Sequence, residues 1–265
     1  MKQLELEQCG YRYHGSPKPI LEGVSFSAAA GEVTTLLGVN GAGKSTALRS
    51  IANRSFQIGR ILLDERDVLE YSADKYNWSM GYLTQDNANK PALTVFDVVL
   101  LGKISRLGLK VSAEDEESVW KTLEALHLEP LAGARYNALS GGQRKVVGIA
   151  QTIVREPKIL LLDEPTANLD IRNELEVMQL ISAYTKARNT ITLITLHDLN
   201  LATQFSDKTV LMRSGGTCVE GTPSEVLTEE LILDVYGVEA SVTLGDNNMP
   251  HIHLKRSVRE STYTF

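Results

Sequence analysis

The sequence predicts an α/β fold organised on a parallel sheet, and three observations carry that prediction. Short apolar, β-branched runs alternate with segments of helical periodicity. A glycine-rich loop stands between one such run and a helix, and a continuous apolar run ends in two adjacent acids. With 265 residues the chain has the length of one large domain, or of a domain with a subdomain. A composition of 43% hydrophobic and 23% charged residues is that of a globular protein and excludes disorder. No stretch approaches the ~18 uninterrupted apolar residues of a membrane span, so the chain is expected not to cross a bilayer by itself. Met1-Lys2-Gln3-Leu4-Glu5-Leu6-Glu7 lacks the apolar centre of a secretory leader. Lys and Arg total 27 against 33 Asp and Glu, a net charge of -6; this is a poor balance for a nucleic-acid binder. Cys9 and Cys218 have no CxxC and no second pair beside them, and read as free thiols of a reducing compartment.

The elements follow in order. Leu4, Leu6 and Gln8 alternate with charged residues, and Val24-Ser25-Phe26 alternates again, so both segments read as strands flanking a turn-rich stretch from Gly10 to Pro19. Val33 to Leu37 is a short β-rich run that Gly38 breaks, and Ser45 to Ala52 then reads as a helix. Residues 58–69 read as strand and turn, and Met80 to Thr84 as a further strand. From Thr94 to about Leu131 the character becomes helical. Val95, Val98, Val99 and Gly102 fall on one helical spacing, and an acid-started helix from Glu114 to Leu126 puts Trp120, Leu123 and Leu126 on one side. That region reads as a helical insertion. Ser140-Gly141-Gly142 introduces a helix carrying Val146, Val147, Ile149, Ala150 and Ile153. Ile159 to Leu162 suits a strand buried on both faces. Asn173 to Arg188 repeats apolar residues as an amphipathic helix does, and Thr190 to Leu196 is β-rich. After Ala240 there is little periodicity. His251 and His253 stand there with no acid or Cys beside them, which reads as two solvated side chains.

Gly38-Val39-Asn40-Gly41-Ala42-Gly43-Lys44-Ser45-Thr46 fits G-x-x-x-x-G-K-[ST] in the strand-loop-helix context that the motif needs. Its glycines let successive N–H groups turn into one concavity, and that concavity sits at a helix N-terminus, where the dipole favours anions. Lys44 would reach the β- and γ-phosphates of a nucleoside triphosphate, and the Ser45 hydroxyl would ligate Mg²⁺. Downstream, the buried strand Ile159–Leu162 runs into Asp163-Glu164-Pro165. Burying charge is costly unless it is paired or binds metal. Asp163 is therefore the expected partner of Mg²⁺, and Glu164 beside it could orient and polarise water at the γ-phosphate.

Leu139-Ser140-Gly141-Gly142-Gln143 resembles the signature motif of the ATP-binding cassette (ABC) ATPases, and it lies at the family's usual place ahead of Asp163. The resemblance implies a P-loop NTPase (RecA-like) parallel core sheet, an N-terminal antiparallel β subdomain and an inserted α-helical subdomain. It also implies a head-to-tail homodimer, in which Ser140 and Gly142 of one subunit, with Gly141 and Gln143, close over the ATP held by the other. Further matches run along the chain. Gln85 is similar to the Q-loop glutamine that touches Mg²⁺, and Ala167-Asn168-Leu169-Asp170 to the D-loop, with Asp170 at the dimer contact. His197 is similar to the switch histidine on the γ-phosphate. Tyr13 sits where an aromatic stacks on adenine, with Tyr11 a close competitor.

A finer resemblance is to ATPase subunits of importers for iron-siderophore, haem and cobalamin. It is carried by Thr94 to Val99 with Leu101-Gly102-Lys103, by Leu196-His197-Asp198-Leu199-Asn200, and by Glu230 to Val238. Val39 and Lys103 to Arg106 depart from that group's pattern. The resemblance implies ATP with Mg²⁺ as cofactor, an integral-membrane permease as partner, indirectly a substrate-binding protein, and a peripheral place on the cytoplasmic face of the cell membrane. The expected layout is an ABC ATPase domain over 1–240, with its helical subdomain at about 86–155, and a tail of unassigned structure over 241–265. The competing reading within the family is a non-transport ATPase such as that of iron–sulfur cluster assembly.

Overall fold

The computed structural model describes residues 3–84, 93–106, 111–245 and 249–258, with side-chain surroundings described to Lys103 in the second of these stretches. The N-terminal strands β1 (Gln3–Tyr11) and β2 (Leu21–Ala29) pair antiparallel. The glycine loop follows β3 (Val33–Leu37) and leads into α1 (Lys44–Asn53). β4 (Ile58–Leu63) and β5 (Arg66–Asp67) complete a four-stranded antiparallel sheet in the order β2-β1-β4-β5. Gln8 departs from the alternation read in the sequence. It sits at φ +49°, the pairing register shifts between Leu6 and Cys9, and the bulge brings Cys9 inward while Gln8 faces out. Cys9 and Cys218 are free thiols, as expected.

After α2 (Ala73–Trp78) and β6 (Met80–Leu83), the chain forms the helical region. It contains α3 (Val95–Leu100), continued as a 3-10 turn over Leu101–Arg106, then α4 (Ala113–Ala125) and α5 (Gly141–Ile153). Reciprocal side-chain capping fixes the starts of all three helices, through Thr94 with Asp97, Ser112 with Asp115, and Ser140 with Gln143. Val95, Val98, Val99, Val119, Leu123 and Tyr136 form a separate apolar cluster there. Val119 and Leu123, four apart, are the buried residues of α4. Trp120 lies one position round the helix, 48% exposed, its ring 5.3 Å from that of Phe96. It therefore flanks the buried stripe, with its ring on that of Phe96.

The core sheet adds β7 (Ile159–Asp163), α6 (Ile171–Arg188), β8 (Ile191–Thr195), α7 (Leu199–Phe205), β9 (Lys208–Met212) and β10 (Cys218–Gly221). Its order is β10-β9-β3-β8-β7-β6; every pairing is parallel except that of β10 with β9. Each residue of β3, β7 and β8 is buried, which is why these strands read as apolar or β-branched runs, broken only by Asp163 at the end of β7. Alternate side chains feed two cores. Leu36, Ile159, Leu161 and Leu193 pack with α1 and the antiparallel sheet, whereas Leu37, Leu160, Leu162 and Ile194 pack with α5, α6 and α7.

The chain continues through α8 (Pro223–Val226) and α9 (Glu229–Tyr236) into two strands, β11 (Val238–Leu244) and β12 (Pro250–Ser257), paired antiparallel. The segment that offered little periodicity is thus a β-hairpin. Ala240 and Ile252 join the second core, and the Asn200 amide of α7 clasps Ile252, donating to its carbonyl at 3.1 Å and accepting from its N–H at 2.8 Å. His251 and His253 are exposed neighbours on this hairpin, with Nδ1 and Nε2 3.0 Å apart.

Candidate functional site

The glycine loop places its last residue, Gly43, as the N-cap of α1 at φ +99°. A Cβ there would lie 2.4 Å from Leu21 Cδ2 and 3.1 Å from the Ile20 carbonyl, so conformation and space both require glycine. No side chain caps this helix start, and its first-turn amides are left for an acceptor from outside the helix. The Lys44 ammonium is folded back over the loop and donates to the carbonyls of Gly38 at 2.7 Å and Val39 at 3.2 Å. A cleft of about 210 Å³ opens here, and Tyr13, Asn40, Gly41, Gly43, Lys44, Ser45, Thr46 and Glu164 line it.

β7 delivers Asp163 to the other side of the loop. The Ser45 hydroxyl donates to Asp163 Oδ1 at 2.9 Å. A hydroxyl and a carboxylate oxygen at that separation are hard oxygen donors of the kind Mg²⁺ takes, so these two residues fit the ion named from the sequence. Asp163 is 3% exposed. Its second donor is Thr195, which pairs with it across the parallel strands β7 and β8 and donates at 2.8 Å. Thr195 Oγ1 also accepts the Glu164 N–H at 2.8 Å. Glu164 itself is in the left-handed region at φ +49°. Its carboxylate Oε1 lies 2.6 Å from His197 Nε2, just past the end of β8.

Electrostatics follow from this crowding. Burial pulls the Lys44 ammonium below its ordinary value, opposed by the charges of Glu164 and Asp163. The Lys145 ammonium on α5 is pulled down by burial in the same way and held up by the same two acids. It donates to the Glu164 carbonyl at 3.1 Å.

The structure therefore brings together the glycine loop, Ser45, Asp163, Glu164, His197 and an aromatic. Tyr11 and Tyr13 differ in position. Tyr11 packs on the N-terminal core, while Tyr13 is 41% exposed in the cleft with its hydroxyl 2.9 Å from Thr46 Oγ1. Ser140 to Gln143 and Asp170 do not line this cleft. Ser140 caps α5, and Asp170 caps α6 by accepting from Asn173. These two helix starts touch, since a Cβ at Gly142 would lie 2.9 Å from Asn173 Cγ. Gln85 lies outside the described residues. Thr195 and Lys145 were missed by sequence reasoning. The signal for Thr195 was its place as the last strand residue before Leu196-His197; Lys145, one turn beyond Gly141, gave none.

Comparison with known proteins places the chain by family. A family model described as ABC transporter matches residues 21–167. An uncharacterised ABC transporter ATP-binding protein of Methanocaldococcus jannaschii is 41% identical over 244 residues, which is 91% of this chain and 95% of that protein. A hemin import ATP-binding protein of Streptomyces coelicolor is 36% identical over 228 residues, covering 86% of this chain and 81% of its own. Among solved structures, a metal-chelate-type ABC transporter in an inward-facing conformation superposes with a TM-score of 0.82 at 26% identity, covering 96% of this chain and 97% of the other.

Proposed function

This chain belongs to the ABC transporter family of ATP-binding subunits, and from that premise we propose that it is the ATP-hydrolysing motor of a metal-chelate importer whose cargo is an iron-siderophore, haem or cobalamin. ATP hydrolysis is the family's activity. The cargo class is supported by a relative named for hemin import and by a metal-chelate-type structural neighbour; both speak against the cluster-assembly alternative. Among the described residues no helix is long and apolar enough to cross a membrane, so passage is assigned to a separate permease. The motor would sit on the cytoplasmic face of that permease, with a substrate-binding protein delivering cargo from the other side.

The observation that carries the proposal is the convergence of Ser45, Asp163, Glu164 and His197 around the glycine loop. Lys44 and the first-turn amides of α1 hold the β- and γ-phosphates. Tyr13 stacks on the base. Ser45 and Asp163 would hold Mg²⁺, with Gln85 assigned to the same ion; when bound, it supplies Lewis-acid neutralisation of phosphate charge. Glu164 orients the attacking water and accepts its proton, and His197 aims that carboxylate and faces the developing charge. Ser140, Gly141, Gly142 and Gln143 present the start of α5 to the nucleotide of a second copy, with Asp170 at the contact. Closure of two copies over two nucleotides, and reopening after hydrolysis, would drive the permease.

One preparation tests this. Purified from membranes without ATP, the chain should bring a stoichiometric multi-span partner that stimulates its ATPase. In that complex Glu164→Gln should still bind ATP and lose about 10²–10⁴-fold in turnover. A soluble partner or none would overturn the importer reading, and an unchanged Glu164→Gln rate would overturn the site.

A further inference from the structure

We infer that Lys145 is a positioning residue of this ATPase: its ammonium fixes the main chain of Glu164 and so the direction of the Glu164 carboxylate. The inference rests on the ATPase site proposed above. Glu164 is the first residue past β7 and holds a left-handed φ of +49°, a conformation that side-chain-bearing residues avoid. Such a conformation persists only where the surroundings over-determine it. Here they do so from separate elements. Thr195 on β8 accepts the Glu164 N–H, and His197 engages the carboxylate. The carbonyl accepts twice, from Ala167 N–H at 3.2 Å within its own turn and from Lys145 Nζ at 3.1 Å from α5.

The Ala167 bond is local and moves with the loop. The Lys145 bond is anchored elsewhere. α5 is fixed on two sides, with Ile149 and Ile153 in the core beneath the sheet and Val147 and Ala150 in the helical-region core. Lys145 is half-buried, and its head is turned to this carbonyl instead of being extended into water as a surface lysine normally is. A charged donor makes a stronger bond than a neutral one. Lys145 also lies one turn from Gly141, at the start of the helix that presents Ser140 to Gln143. One side chain therefore ties the main chain of the water-orienting acid to the helix assigned to the neighbouring subunit's nucleotide. Removing it leaves the Ala167 turn in place, so the loop should remain folded while the carboxylate loses its fixed aim.

The test uses the purified full-length chain. Lys145→Met keeps the stem and removes the ammonium, and Lys145→Arg keeps a charged donor. Lys145→Met should lower kcat by about ten- to a hundredfold, the scale of one charged hydrogen bond carried into the barrier. KM for ATP and the affinity for a fluorescent ATP analogue should stay within about twofold. Lys145→Arg should recover most of the rate. In a Glu164→Gln background, with single-turnover phosphate release as readout, Lys145→Met should add no further loss, because the residue acts through Glu164. Wild-type turnover in Lys145→Met would overturn the inference. So would a rise in KM in place of a fall in kcat, no recovery with Arg, or an equal further loss in the Glu164→Gln background. Should Lys145→Met fail to fold, Lys145→Leu, which likewise has no donor, is read by the same four criteria. Failure of Glu164→Gln to slow turnover is a separate result that would sink the site itself.

Discussion

Thr195→Val exchanges a hydroxyl for a methyl at a fully buried position and keeps the β-branched shape that suits β8. The oxygen removed has two partners, since it donates to Asp163 Oδ1 at 2.8 Å and accepts from the Glu164 N–H at 2.8 Å. Losing a hydrogen bond to a carboxylate costs about 1.5–3 kcal/mol, and stranding a buried N–H costs about 1–3 kcal/mol. Both run through one atom, so they do not add fully, and a net loss of about 3 kcal/mol is expected. At about 2–4 °C per kcal/mol for a chain of this size, the melting midpoint should fall by about 6–12 °C. Thr195→Ser is the control. It keeps the oxygen and loses one methyl, about 0.8 kcal/mol of burial, or about 2–3 °C at the same conversion. Scanning calorimetry of the nucleotide-free protein should therefore rank wild type above Ser and Ser well above Val. Apolar burial alone predicts the reverse order for the two variants. A valine variant as stable as the serine variant would refute the reasoning that this hydroxyl clamps the two acids.

Two further outcomes follow from the geometry. Gly43→Ala places a Cβ 2.4 Å from Leu21 Cδ2 at φ +99°; it should weaken ATP-analogue binding about tenfold or more by deforming the loop, and an unaltered affinity in fluorescence titration would count against the loop as the phosphate site. Burial pushes the Cys9 thiol from its ordinary 9.0 to about 11. The folded chain thus keeps a proton that the unfolded chain gives up, and the stability linked to it is intact below pH 9 and lost as pH rises towards 11. Urea midpoints at pH 8, 9, 10 and 10.5 should fall more steeply for wild type than for Cys9→Ala, and equal slopes would refute the assignment.

What the sequence disclosed depended on how local the physics was. The buried parallel strands were legible because burial on both faces forces an unbroken apolar run. The loop at Gly38 to Thr46 was legible because a tight strand-to-helix turn with positive φ at Gly38, Gly41 and Gly43 demands glycine at those places. Trp120 shares a helical side with Leu123, but hydrophobicity alone does not report that it stands half in solvent. Gln8 was misplaced because a bulge changes the phase of alternation without leaving a compositional mark. The hairpin β11–β12 was hidden by polar residues on its outer face, with Ala240 and Ile252 too sparse to set a period. Thr195 and Lys145 matter through partners distant in sequence, Asp163 and Glu164, and such pairings exist only once β7, β8 and α5 are packed.

The Asn200 clasp on Ile252 bears on the order in which the molecule is completed. Synthesis runs from the N-terminus, and α7 with the strand before it is translated well ahead of β12. The two hydrogen bonds span 52 positions, and loop closure of that kind is deferred until nearer contacts have formed. In the folded chain the helix that follows His197 is tied to β12 across those 52 positions. A chain interrupted before Ile252 would hold every residue assigned to hydrolysis and still lack the tie on the helix behind its histidine. The helix behind the histidine thus depends on a strand outside the segment that carries every residue assigned to hydrolysis.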